Sequence, residues 1–185
     1  MDVVGRAKGL ILDPRTEWAR IAPEGGAPMD HFRAYAVPLA AVPAVAGLIG
    51  GIVFGGFRGV IGAVVIALLS YVLSLAGTFV MAKIIEAVAP SFGGNNDPLS
   101  AMKLAVYSPT ATWLAGIFAI IPFLGFLAIL GLYSIYIYWV GVPIVTRVPE
   151  DRRLVFTIVL VIVAIVINVI IGAVVGGIVG ALLFR

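Results

Sequence analysis

"GVIGAVVIALLSYVLSLAGTFVMA", residues 59–82, carries no charged side chain over 24 residues. At about 1.5 Å per residue a helix of that length reaches about 36 Å, more than the roughly 30 Å of hydrocarbon in a bilayer. The run ends at Lys83 and Glu86, three positions apart and so on one helix face, and the chain then breaks up into Ala89-Pro90 and Gly93-Gly94-Asn95-Asn96-Asp97-Pro98. A charge at the bilayer centre costs about 2.5–3.5 kcal/mol on insertion scales, whereas a lysine near a helix end snorkels to the headgroups at little cost. Lys83 and Glu86 therefore read as a boundary pair marking where the chain leaves the membrane; an ion-coupling pair is the competing reading.

The rest of the chain follows the same pattern. Of 185 residues 62% are hydrophobic and 11% charged, too little charge to solvate a globule with so many long apolar runs. Five stretches are long enough to cross: about 34–54, 59–82, 104–121, 123–143 and 154–184. Between the third and fourth stands only "IIPFLGF" (120–126), where Pro122 and Gly125 predict a tight hairpin rather than one kinked 40-residue rod. The expected fold is all-α: a cytoplasmic segment, 1–33, followed by a polytopic integral membrane bundle of five transmembrane helices, 34–185. The first run follows five acidic and five basic residues, unlike a cleaved signal peptide, so it is expected to persist in the mature protein.

Orientation follows from lysine and arginine. With the N-terminus in the cytoplasm, Arg6, Lys8, Arg15, Arg20, Arg33, Lys83, Lys103, Arg147, Arg152 and Arg153 fall inside, and only Arg58 and Arg185 outside. Tyr136, Tyr138 and Trp139 then lie where an aromatic belt would meet the cytoplasmic headgroups. Within the leading segment, "DPRTEWARI" (13–21) carries Asp13 as cap, Pro14 at the first helical position and Glu17 in the first turn. It predicts a short interfacial helix on the cytoplasmic leaflet, or a tail that folds onto the loop between the second and third spans.

Inside the membrane, helices associate through close contact of small residues. Gly47, Gly51, Gly55 and Gly59 recur at four-residue spacing in the first span, and Ala164, Asn168, Gly172, Gly176 and Gly180 in the fifth. Ser70, Ser74, Thr78 and Ala82 form a weaker version in the second. These stripes predict packing faces, within one chain or between copies. Asn168 sits mid-run, as interhelical glue or as part of a polar pathway with Tyr107, Pro109 and Tyr133. Pro109 predicts a kink whose freed carbonyls Ser108, Thr110 and Thr112 can satisfy.

The sequence also excludes chemistry. There is no cysteine and a single histidine, His31, so neither a thiolate nor a histidine metal cluster can form. No span carries a mid-membrane Asp, Glu, Lys, Arg or His, and no phosphate-binding glycine loop or nucleophile-base set is present. The expectation is a protein without enzymatic activity, cofactor, metal or nucleic-acid partner, whose partners are the lipid bilayer and other membrane proteins, with homo-oligomerisation left open.

Several segments resemble a known family. Pro14 to Trp18, "VPLAAVPAVAG" (37–47), "APSFGG" (89–94), "LAVYSPTATWLAG" (104–116) and "GLYSIYIYWVGVP" (131–143) are similar to the bacterial branch of the Yip (Ypt/Rab-interacting protein) membrane family. The resemblance implies five spans, a cytoplasmic N-terminus and an outward C-terminus in a bacterial inner membrane. Eukaryotic members are associated with Rab-type GTPases and vesicle transport. This chain departs from them in its 33-residue leading segment and in lacking their Asp-Leu-Tyr-Gly-Pro motif, so Rab binding is not carried over. The leading functional expectation is a membrane-organising or adaptor protein with Lys83, Glu86, Lys103, Arg152 and Arg153 at its cytoplasmic interface. The alternative is a channel or carrier for a small solute along Asn168, Tyr107, Tyr133 and the Pro109 kink.

Overall fold

A computed structural model describes residues 2–183, with the backbone alone described at 56–59, 122 and 182–183. Among the described residues all regular structure is helical. Two short helices lead: α1 (Val3–Leu12), capped by the Asp2 side chain, and α2 (Pro14–Ile21), where Asp13 accepts from the Thr16 amide at 3.2 Å as its position before Pro14 predicts. The sequence reading missed α1. A turn leads to α3 (Pro28–His31) and a π-helical stretch, Phe32–Ala36, that runs directly into α4 (Val37–Val88).

Although α4 is 52 residues long, it is not a rod. A straight helix would separate Val37 and Tyr71 by about 51 Å. Instead the Tyr71 hydroxyl donates to the Val37 carbonyl at 3.1 Å, and a Cβ on Gly51 would stand 2.5 Å from the Ala63 Cβ. The helix folds back between Gly55 and Val60 into two antiparallel arms, which are the first and second expected crossings. Arg58 and Gly59, the last member of the first glycine stripe, lie between the two arms, where only the backbone is described.

The third expected span differs most. It starts earlier, with α5 (Pro98–Tyr107) capped by Asp97, which accepts from the Ser100 amide at 3.0 Å. Pro109 lacks the amide hydrogen needed to continue the helix, so a break separates α5 from α6 (Thr110–Ala115), after which Gly116–Ile120 tightens to a 3-10 helix. Consequently four helices among the described residues are long and apolar enough to cross a membrane, Pro28–Gly55, Val60–Phe92, Phe123–Thr146 and Glu150–Ala181, while the third segment is assembled from shorter pieces. Thr110 satisfies the Tyr107 carbonyl at 2.6 Å, as expected of a residue beside the kink, but Thr112 turns to the Gly131 carbonyl and the buried Ser108 hydroxyl has no partner among the described residues.

The hairpin expected at 120–126 is present: the chain turns at Ile121 and returns as a 3-10 helix, Pro122–Leu132, then α7 (Tyr133–Gly141) and a π-helical end, Val142–Thr146. A 3-10 helix repeats every three residues. Phe123, Phe126, Ile129 and Leu132 accordingly share an outward face, each at least 60% exposed, while Gly131 is buried on the inner side. The last helix, α8, spans Glu150–Leu183; Phe184 and Arg185, the expected end of the fifth span and its outer charge, lie outside the described residues.

Contacts fix the directions. His31 meets Tyr107, Tyr35 meets Thr110, Pro43 meets Gly116, and Gly50 meets the Ala119 carbonyl, so the third segment runs parallel to the outgoing arm of α4. The Asn95 amide donates to the Thr146 carbonyl at 2.8 Å, and the Lys103 ammonium to the Ala22 carbonyl at 3.0 Å. The leading segment and the loops at 93–97 and 147–149 therefore meet at one end of the bundle. The largest fully buried side chains, among them Trp18, Tyr35, Lys103, Tyr107 and Phe156, include the ones that join these pieces.

Candidate functional site

The leading helices form a clamp on this end. Leu10, Trp18 and Ile21 are fully buried. The Trp18 indole donates to the Ile137 carbonyl at 3.0 Å and meets the Tyr107 ring edge-on at 6.1 Å. It fits because residue 141 is glycine: a Cβ there would stand 2.5 Å from the indole Cε2. Arg6 bridges Glu17, at 2.9 Å, and Glu24, and its guanidinium lies 5.7 Å from the Tyr107 ring centroid. Burial works against that charge, but the hydrogen bond and proximity of Glu24 outweigh it and raise the Arg6 pKa. Lys103 places its ammonium on the Ala22 and Glu24 carbonyls.

Under the clamp lies a neutral hydrogen-bond chain. His31 Nε2 is 3.2 Å from the Gly25 carbonyl, which can only accept, so in the neutral ring Nε2 carries the hydrogen and Nδ1 accepts from the Tyr107 hydroxyl at 2.8 Å. Thr110 donates to the Tyr107 carbonyl, leaving its oxygen to accept from Tyr35 at 2.8 Å. Every charged group in this node is spent on an internal partner, an arrangement suited to holding two parts of a chain together.

The sequence-derived interface residues divide accordingly. Lys83 and Glu86 pair at 2.8 Å on the surface, and Arg152 is exposed. Lys103 is not an interface residue: it is 2% exposed. Arg153 is also withdrawn, 4.0 Å from the Trp139 ring centroid and donating to the Trp139 carbonyl at 2.8 Å. All nine acidic residues sit at this same end, so its ten bases leave an excess of only one positive charge.

A second feature lies among the crossing segments, a cavity of about 550 Å³ between the returning arm of α4, the third and fourth segments and α8. Its polar lining is neutral: Ser74, Thr78, Thr112, Ser134, Tyr138 and Asn168. A neighbouring cavity of about 320 Å³ shares Ser74, Thr112 and Asn168, with Trp113 between them donating to the Ser74 hydroxyl at 3.4 Å. Pro109 and Asn168 line the larger cavity, but Tyr107 belongs to the clamp and Tyr133 donates outside it to the Ile11 carbonyl at 3.0 Å. The four-residue polar path expected from the sequence is therefore not assembled. Tyr138, expected in an aromatic belt, is 7% exposed and lines the cavity.

Of the described stripe glycines only Gly51 marks a contact within the chain. A Cβ on Gly47, Gly55, Gly172, Gly176 or Gly180 would meet nothing within 4 Å, and Gly51 touches its own hairpin at Ala63. The close approaches fall instead at Gly50, Gly77, Gly116, Gly131 and Gly141. Gly50 continues the face of Tyr35, Leu39, Pro43 and Ala46, the face turned to the third segment, one position off the expected stripe. Sequence reasoning also missed Arg6, Trp18, Glu24 and Gly141 as clamp residues. The apolar Leu10, Trp18 and Ile21 in an otherwise charged leader are the available signal.

Residues 8–171 match the model of the Yip1 domain. The chain is 26% identical over 165 residues to Inner membrane protein YohC of Escherichia coli strain K12, covering 80% of this chain and 83% of that protein, and the protein of the same name in E. coli O6:H1 matches equally. No solved structure matches.

Proposed function

We propose, starting from the fact that this chain belongs to the Yip1 domain family, that it is a non-enzymatic multi-pass protein of the bacterial inner membrane, an adaptor or membrane organiser. Its five crossings, the third of them broken, put the clamped end in the cytoplasm and the C-terminus outside. In support, ten of the twelve lysines and arginines lie at that end, and the similar E. coli protein is described as an inner membrane protein.

The observation that carries the adaptor reading is the clamp. It turns a charged, hydrophilic leader into a fixed surface by spending Arg6, Lys103 and Trp18 internally while leaving Lys8, Arg15 and Arg20 exposed beside Lys83, Arg147 and Arg152. With near-balanced charge, this surface suits a protein of mixed charge better than bulk attraction to anionic lipid. Photo-crosslinking amino acids at Arg20 and Arg152, with Phe123 at the opposite end as control, test it in intact cells. A discrete protein product shared by positions 20 and 152 and lost with Trp18→Ala is expected. Products no different from those at Phe123 would end the reading, as would ion or small-solute flux in liposomes holding the pure protein.

A further inference from the structure

We propose that the 550 Å³ cavity is a binding site for a neutral amphiphile drawn from the bilayer, an apolar chain bearing one uncharged carbonyl acceptor. The volume lies within the roughly 300–1,000 Å³ of ligand pockets, and the lining is mostly aliphatic, with Ala105, Ile135, Ala164 and Ile167 among its walls. Among the described lining residues there is no Asp, Glu, Lys, Arg or His, so nothing there balances an ionised headgroup or an inorganic ion. The mouth opens sideways: Ile165, Asn168 and Val169 line the cavity yet are exposed on α8, a helix apolar enough to lie against lipid. From the aqueous end described above, the clamp closes the bundle. The occupant therefore enters from the membrane.

Hydrogen-bond accounting selects its polar group. Thr78 spends its hydrogen on the Ser74 carbonyl at 2.9 Å. Thr112 spends its own on the Gly131 carbonyl at 3.1 Å, and Ser134 receives the Thr112 amide at 3.0 Å. Four groups retain donors, Ser134 among them, since it only accepts from Thr112. Tyr138 is buried against the cavity with no hydrogen-bond partner for its hydroxyl among the described residues. Ser74 accepts from Trp113 and still has its own hydrogen to give. Asn168 uses one amide hydrogen on the Ala164 carbonyl at 2.8 Å and keeps the other. Of these, Tyr138 is a buried donor left unpaired, which is costly, while Asn168 stands at the mouth. Surplus donors without a cation call for a neutral acceptor, a carbonyl, and the aliphatic walls call for the chain attached to it.

The test uses the full chain purified in mild detergent, and two sources of such a molecule, an acyl ester of a glycerolipid or an isoprenoid quinone, are told apart by mass spectrometry of the solvent extract. One class retained in near-stoichiometric amount, lost in Ala164→Phe and reduced severalfold in Tyr138→Phe with helical circular dichroism unchanged, is the expected result. Wild-type protein in vesicles containing phosphatidylethanolamine with a diazirine-tagged acyl chain gives a second readout that needs no variant. Label is expected on residues 161–171 and Met81, displaced by excess diester lipid but several times less by its diether analogue, which lacks the carbonyl. Label spread as heavily over Phe123, Phe126 and Ile178 would overturn the site. Equal displacement by the diether would overturn the carbonyl assignment.

Discussion

Trp18→Ala separates docking of the leading segment from integrity of the bundle. The indole is completely buried, donates to the Ile137 carbonyl at 3.0 Å and meets the Tyr107 ring edge. Truncating a buried Trp or Phe to Ala costs about 3–5 kcal/mol, and since about 1.4 kcal/mol is tenfold, the docked-to-undocked ratio should fall roughly 100- to 4,000-fold. Hydrogen exchange of the protein in nanodiscs reads this directly, because amide protection follows the local opening free energy. Protection of α1 and α2, residues 3–21, should collapse by that factor, while amides of α8 stay within about threefold of wild type. Gly141→Ala attacks the same contact from the other side, since the added methyl group would press on Cε2 of the indole, and overpacking costs about 1–3 kcal/mol. In the Trp18→Ala background that cost should nearly vanish, a non-additivity expected only if the two residues touch. Unchanged protection of residues 3–21 in Trp18→Ala, or additive effects in the double variant, would refute the clamp.

Further predictions address neighbouring contacts. Arg6→Met should loosen the leading segment by leaving the buried Glu17 carboxylate with only the exposed Arg20, at 3.3 Å, and Arg6→Met with Glu17→Met should cost less than Arg6→Met alone; a larger loss of exchange protection in the double variant would speak against the pair. Asp97→Ala should lower stability by about 0.5–2 kcal/mol through loss of the α5 cap. Burial pushes the Asp97 pKa up, but the hydrogen bonds from Ser100 and Leu99 overcome it and leave the value below the usual carboxylate range. The cap's contribution is therefore complete above the unfolded-state pKa and disappears as pH falls through the lower folded one, so wild type and variant should unfold at the same temperature in strong acid and at different temperatures at neutral pH. Gly50→Ala should destabilise by about 1–3 kcal/mol because its Cβ would meet the Ala119 carbonyl, whereas Gly176→Ala should be neutral or stabilising by up to about 1 kcal/mol; equal melting shifts would contradict the assigned packing face.

Much of the fold was legible because uncharged length is a strong signal. The arms of α4, the fourth segment and α8 all follow from runs too long and apolar for anything else, and the reversal at Ile121 follows from Pro122 and Gly125. The third expected span was read as starting at 104 and kinked at Pro109, and the start and the extent of the break differ. Asp97-Pro98 starts its helix earlier, and Pro109 and Gly116 divide it into pieces whose backbone groups are satisfied by Thr110 and by the shift to 3-10 geometry. The clamp was legible only as helix-start chemistry at Asp13. Its partners stand 119 positions apart at Trp18 and Ile137, and 81 at Ala22 and Lys103, and a leader with five acids and five bases has the composition of a solvated tail. The glycine stripes misled because four-residue spacing identifies a face without saying what it meets. Gly50, one position away, faces the third segment.

The central claim is that the leading segment and the loops at 93–97 and 147–149 share one membrane side. Its most direct test uses the fact that the chain has no cysteine, so single cysteines can be placed without background. With cysteine at position 20, 96, 147 or 123, a membrane-impermeant thiol reagent added to spheroplasts should label only 123. Positions 20, 96 and 147 should react only once the membrane is opened. Labelling of 20 from one side and of 96 or 147 from the other would contradict the shared end, and with it the clamp and the adaptor surface built on it.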